Sequence, residues 1–278
     1  ELEACWAAPV DTAAFRRGTV EHVSYRLSAR MPDAHRGPAV RQVEASAESI
    51  AAAGVVREAL LAIATAVAEQ EGELGRLDAV AGDGDHGSGM VRGINAACDA
   101  AEQSAGGVEA VLTAASAAFG DRAGGTSGAL WAAMLSALGS DLGDQQAVTP
   151  VALVRATRSA AEAISRVGRA QLGDKTMLDA LIPFVDRFDI AIAEGLSIAV
   201  AWQSAAQVAT ESAKATALLE PKVGRARPLA ARSVGTPDPG ATSMALALTA
   251  VGLVLAAAPC SSAQSSSAQS SSAQSSSA

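Results

Sequence analysis

Residues 77–90, LDAVAGDGDHGSGM, place Asp78, Asp83 and Asp85 within eight positions and separate them with Gly82, Gly84 and Gly87. Glycine opposes a continuous helix there and allows tight backbone turns, so the three carboxylates can converge in one loop. Left alone they would repel and raise one another's pKa, which a hard divalent cation with oxygen ligands resolves. A solvated acidic turn, capping a helix that begins near Met90, explains any single one of these aspartates. It explains poorly all three together, followed by His86 and Ser88. Gly82, Gly84 and Gly87 also satisfy the GxGxxG spacing of dinucleotide-binding loops. In such a loop, however, Asp83 and Asp85 would set negative charge against pyrophosphate, and no βαβ pattern surrounds them. A calcium loop counted from Asp83 fails because its twelfth position is Ile94, where a bidentate Glu is needed.

Three further loops carry groups suited to an anion. Gly124, Gly125, Thr126, Ser127 and Gly128 stand before an apolar helix and offer amides, two hydroxyls and a helix dipole, although Thr and Ser are also ordinary N-caps. In VGRAQLGDKTMLDAL, Gly168 and Gly173 precede Lys175 and Thr176 much as in a P-loop. Asp174 breaks the pattern, and the setting is helix to helix. Met177 and Leu178 suit either a flat base or a buried helix start. Last, Arg225, Arg227 and Arg232 precede the turn Asp238, Pro239 and Gly240. Arginine can hold phosphate bidentately, and a surface salt-bridge network is the plain alternative.

Helical periodicity must position these loops. Apolar residues recur at three- and four-residue intervals over 43–70, 90–104, 108–118, 127–138, 150–167, 177–188, 190–217 and 241–257. Eight helices with short glycine-rich connections predict an all-α antiparallel barrel or bundle with almost no sheet, its reactive loops toward one set of helix ends. Aromatics make up only 3% of the chain while hydrophobic residues make up 49%, much of it alanine. The compact domain is expected to begin near Val43, after a polar stretch around Pro32, Gly37 and Pro38. Residues 261–278 repeat Ser, Ala and Gln and offer nothing to bury.

Across 278 residues the net charge is −8, which disfavours binding to nucleic acid or an anionic membrane by bulk electrostatics; a bound polyanion would need a metal. Cys5, Cys98 and Cys260 have neither disulfide nor zinc spacing and fit a reducing, cytoplasmic setting. No signal-peptide order opens the sequence, and the apolar run 244–258 is short for a bilayer span and reads as a buried helix.

Taken in order, LDAVAGDGDHGSGM, AGGTSGALW, LGDKTMLDAL, VGRAR and DPGATS resemble the motif series of the L-type, nucleotide-binding domain of dihydroxyacetone kinases, over about residues 43–258. The resemblance implies an eight-helix antiparallel barrel holding ATP or ADP through two magnesium ions. Asp78, Asp83 and Asp85 would be the metal ligands. His86, Gly87, Ser88 and Gly89 would lie along the phosphates with Thr126 and Ser127 opposite. Gly168 and Met177 would border the base, and Arg225, Asp238, Pro239 and Gly240 would complete the pocket. The family usually reads GRASYL where this chain reads GRARPL, so Arg227 and Pro228 replace a serine and a tyrosine.

Residues 1–42 are similar to the close of the ketone-binding domain that precedes this one in single-chain, ATP-dependent kinases, so a domain order of 1–42, 43–260 and 261–278 is expected. His22 and His35 match no substrate-binding histidine. The implied activity is transfer of the ATP γ-phosphoryl group to dihydroxyacetone or a related short ketose held by a ketone-binding domain, in cis or in trans. The resemblance also implies domains paired between chains, for which a homodimer is one candidate assembly. No catalytic residue beyond the metal and phosphate site is expected in this chain, and weak turnover without the partner domain follows. An ADP-coenzyme subunit of a phosphotransferase-system kinase, or a non-catalytic nucleotide-binding module, are the other readings.

Overall fold

The computed structural model describes residues 11–12, 15–16 and 44–257. The chain divides into two units, Glu1–Val43 and Glu44–Ala278. In the first, β1 (Asp11–Thr12) pairs antiparallel with β2 (Phe15–Arg16), and these are the only strands among the described residues. The readings of residues 1–42 and 261–278, and Cys5, His22, His35 and Cys260, fall outside what can be described beyond that pair.

The second unit is helical: α1 (Ala47–Glu69), α2 (Glu71–Asp78), α3 (His86–Gln103), α4 (Val108–Ala123), α5 (Gly125–Leu142), α6 (Pro150–Gly168), α7 (Leu178–Ala193), α8 (Ile198–Ala215), α9 (Ala230–Ser233) and α10 (Pro239–Ala257). The starts obey capping chemistry. Ser46, Thr149 and Ser197 accept from Ser49, Ala152 and Val200 amides, and Pro150 opens α6, where no amide hydrogen is needed. Each of α1, α3, α4, α5, α6, α7 and α8 packs on the next of the series, α8 packs on α10, and α10 returns to α1, closing a ring of eight. Short connections force successive members to run antiparallel. The expected all-α barrel is therefore the observed fold.

Small residues let the staves approach closely. On Gly93 of α3, a side chain would meet Ala123 Cβ at 2.8 Å and the Phe119 ring at 2.9 Å. Inside, Phe119 stacks on Trp131 with centroids 5.6 Å apart, and Trp202 meets the edges of Phe184 and Phe188 at 4.8 and 5.3 Å. Trp202 Nε1 donates to the Leu248 carbonyl at 2.8 Å, joining α8 to α10. An apolar cavity of about 330 Å³, lined by residues such as Leu60, Ile94, Leu181 and Met244, remains within the ring. Helices α1 and α10 are long and apolar enough to cross a bilayer by length and composition; both are staves of this ring.

Several boundaries differ from those expected. Helix α3 begins at His86, not Met90, its first turn using Gly87 where the Glu71 backbone comes close, and α5 begins at Gly125, not Ser127, with Gly125 at φ 60°. The break expected at residue 189 lies at Glu194 to Ser197, where Gly195 takes φ 83°, so Ile190 belongs to α7. Helix α2 was not anticipated.

Candidate functional site

In an antiparallel ring every second connection falls at the same end. The connections α1 to α3, α4 to α5, α6 to α7 and α8 to α10 therefore share one end, and they are the four segments singled out from sequence. Cross-contacts agree with this. Arg225 pairs with Asp83 and Asp85, His86 Nε2 lies 3.0 Å from Ser243 Oγ, and a side chain on Gly240 would meet Met177 Cβ at 3.6 Å.

Asp78 is the last residue of α2, Asp83 lies in the turn, and Asp85 holds the N-cap position of α3 without using its side chain as a cap. Asp78 Oδ2 accepts from the Gly84 amide at 2.9 Å, which folds the turn back on the helix end. Gly84 takes φ 78°, and a side chain on Gly82 would overlap the Asp78 carboxylate. The sequence therefore leaves room for this carboxylate at the one position where a Cβ would evict it. One oxygen from each aspartate lies within 4.8 Å of the others, an all-oxygen set that fits a hard cation keeping water or phosphate in its remaining positions.

Asp85 starts a first turn in which His86 and Gly87 are buried and Ser88 and Gly89 partly so. Gly87 sits so close to the Glu71 carbonyl that no side chain fits, bringing the α3 N-terminus against α2. The amides of His86, Gly87 and Ser88 precede the first intrahelical bond, which the Gly89 amide makes to the Asp85 carbonyl at 2.8 Å, and such orphan amides point at whatever stands before a helix. Burial pushes the His86 imidazole below its ordinary pKa against the pull of Asp78 and Asp85. Thr126, exposed, and Ser127, partly buried, occupy the first turn of α5 at the same end.

Arg225 donates to Asp83 and, at 3.4 Å, to Asp85 Oδ1. Desolvation raises the Asp83 carboxyl, yet a hydrogen bond from its own backbone and the Arg225 guanidinium beside it hold it below the usual carboxylate value. So the first of the three arginines engages the aspartates, while Arg227 and Arg232 are exposed without an ion pair among the described residues. Gly168 ends α6 facing Leu130 of α5, and Met177 is buried immediately before α7. No hydrogen bond among the described residues ties Thr126, Ser127 or Gly168 to the aspartates.

Asp238 does not stand free in its turn. Its Oδ2 accepts from the Ala241 amide at 2.7 Å and caps α10. Burial, with a contribution from Asp179, pushes its carboxyl up to about 7 against the pull of the Ala241 amide and Lys175. Pro239 and Gly240 form the first turn of α10. The quoted motifs contain Ser243, Asp174 and Asp179, but sequence assigned these side chains no role; Ser243 meets His86, and the two carboxylates accept from the amides of Gln171, Gly173 and Thr176 at 2.9, 2.5 and 2.7 Å. The only available signal was Asp spacing around a glycine.

Residues 80–252, which take in every site residue expected from sequence except Asp78, match the DAK2 domain. The chain belongs to the DAK2 domain family. A D-erythrulose kinase of Mycolicibacterium smegmatis is 50% identical over 252 residues, covering 88% of this chain and 43% of its own length. The ADP-binding subunit of the PEP-dependent dihydroxyacetone kinase of Escherichia coli is 31% identical over 60% of this chain and 80% of the subunit. The native crystal structure of the dihydroxyacetone kinase of C. freundii superposes with a TM-score of 0.57 at 26% identity, over 76% of this chain and 35% of that one. This DAK2 domain thus spans less than half of the D-erythrulose kinase and of the C. freundii enzyme.

Proposed function

We propose that this chain is the ATP-holding domain of a short-ketose kinase, transferring the γ-phosphoryl group to a hydroxyl of dihydroxyacetone, erythrulose or a similar ketose carried by a separate ketone-binding domain. The observation that carries this is the meeting of the Asp78, Asp83 and Asp85 oxygens within 4.8 Å of one another, with Arg225 beside them. Its membership of a family whose relatives are named as kinases of such ketoses supports the substrate class.

Bound magnesium, as two ions, would supply charge neutralisation at the β and γ oxygens. Asp78, Asp83 and Asp85 would hold the metal. The free first-turn amides of His86, Gly87 and Ser88 would donate to phosphate oxygens, with Gly89, whose own amide donates to the Asp85 carbonyl, lying alongside, and Thr126 and Ser127 would close the opposite side. Arg225 releases the aspartates to meet phosphate. Gly168 and Met177 flank the base, and the turn Asp238, Pro239 and Gly240 completes the wall. Residues 1–42 would close a preceding ketone-binding domain and residues 261–278 would be a low-complexity tail. The assembly would be a cytoplasmic homodimer needing neither nucleic acid nor membrane.

Likeness to an ADP-binding subunit over 80% of that subunit favours a second reading, in which ADP stays bound as a coenzyme and is rephosphorylated in place. Calorimetric titration of ATP with and without magnesium, on the chain and on Asp83→Ala, tests the first reading. Magnesium-dependent binding lost on substitution is expected, and absence of binding in both proteins would overturn it. Tightly held ADP that does not exchange with added ATP would transfer support to the second.

A further inference from the structure

Lys175 is the one lysine buried among the described residues, and the phosphate chemistry above does not use it. Its backbone is left-handed, with φ 62°, a conformation that costs a lysine energy unless its surroundings hold it. Its Nζ donates to the Leu219 carbonyl at 3.0 Å and to the Ser233 carbonyl at 2.7 Å. Burial pushes its pKa down against the charge of Asp238. A buried ammonium is retained where its donors are satisfied, and here two backbone oxygens far apart in sequence satisfy it.

Those two oxygens stand at either end of the segment that carries Arg225. The same neck is closed by the Gly235 amide donating to Ala217 at 2.8 Å and the Asp238 amide donating to Thr216 Oγ1 at 2.8 Å. On the outgoing side, the Lys222 amide donates to the Asp174 carbonyl at 3.2 Å, which rests the segment on the turn around Lys175. Beyond these anchors the tip is exposed, and Arg225 reaches back from it to Asp83 and Asp85. Where the neck lies decides how far the guanidinium can reach.

We propose that Lys175 is a positioning residue: by clasping both ends of the segment from Leu219 to Ser233, it sets the reach of Arg225 to the carboxylates and to bound phosphate. The phosphate half of this statement rests on the function proposed above; the clasp does not.

Trypsin reads the clasp directly, because Lys222, Arg225 and Arg232 lie within the segment while Arg227 is shielded by Pro228. The test compares the full chain with Lys175→Met, which keeps side-chain bulk, and Lys175→Gly, which relieves the left-handed backbone while deleting the ammonium. Cleavage after Arg225 and Arg232, followed by mass spectrometry, is expected to quicken about tenfold relative to sites elsewhere, as loss of a charged hydrogen bond implies. Affinity for magnesium-ATP is expected to weaken about tenfold in either variant and to change no further when either is combined with Arg225→Ala. Unchanged cleavage, cleavage rising equally at all sites, or affinity losses that simply multiply with Arg225→Ala would each overturn the clasp. If the unsubstituted chain binds no magnesium-ATP, the proposed function falls, and the cleavage pattern still judges Lys175.

Discussion

At the end of the ring away from the motif loops, Asp144 follows Gly143, and its carboxylate is occupied by the fold. Oδ1 accepts from the Glu109 amide at 2.7 Å and Oδ2 from the Ala110 amide at 3.3 Å, with Ser49 Oγ also in reach. At the motif end, Asp83 and Asp85 each follow a glycine as well, yet they pair with the exposed Arg225 side chain, and the Asp85 carboxylate does not cap the helix it precedes. The three residues share a local pattern and differ in what satisfies them. A carboxylate that caps a helix has been committed to stability, whereas one neutralised by a displaceable guanidinium remains open to a stronger cation.

Exchanging the two kinds of aspartate gives the sharpest contrast. Asp83→Ala is expected to lower magnesium-ATP affinity by about 100-fold or more, above the 10–100-fold cost of disturbing a ligand's outer partners, with little change in the unfolding midpoint. Calorimetry and thermal denaturation on the same samples measure both. Gly82→Ala, which pushes a methyl onto the Asp78 carboxylate, is expected to weaken the same binding about tenfold while helicity by circular dichroism holds. Asp144→Ala should do the reverse, costing about 1–2 kcal/mol in urea unfolding and leaving nucleotide affinity intact.

Asp238 lies between the two kinds, being at the motif end but acting as a cap. With its folded pKa raised to about 7 by burial, the native state holds its proton where the unfolded chain has released it. Its contribution to stability therefore falls as pH rises from about 4 to about 7. The residue keeps some exposure, so the difference removed by Asp238→Asn is expected to be about 1 kcal/mol across that window, read from denaturant midpoints at several pH values. An identical pH slope in both proteins would place Asp238 with the ordinary caps.

The sequence made the eight staves legible because periodicity reports a buried face directly, and the run from Ser46 through Val67 shows both cap and stripe. It also exposed the aspartate turn, since three acids among glycines have few structural uses. Helix α2 stayed hidden because Gly72 and Gly75 weaken its local preference, and only packing of Leu74 and Leu77 into the ring holds it. Lys175 resembled a failed P-loop because its partners are backbone carbonyls 44 and 58 residues away, and carbonyls have no signature in sequence. The same holds for Ser243 and His86, which are 157 residues apart.

The seam between α1 and α10 has a kinetic meaning. The other ring contacts join helices that follow one another along the chain, but this one brings together its first and last staves. Such a closure waits on the largest loop entropy in the molecule, so the staircase of helical hairpins can assemble early while one slot stays open. During synthesis that slot exposes the apolar interior until Pro239–Ala257 has emerged. A circular permutant that fuses the ends of α1 and α10 would turn the seam into a neighbouring hairpin, and would move the late step to wherever the new termini are cut.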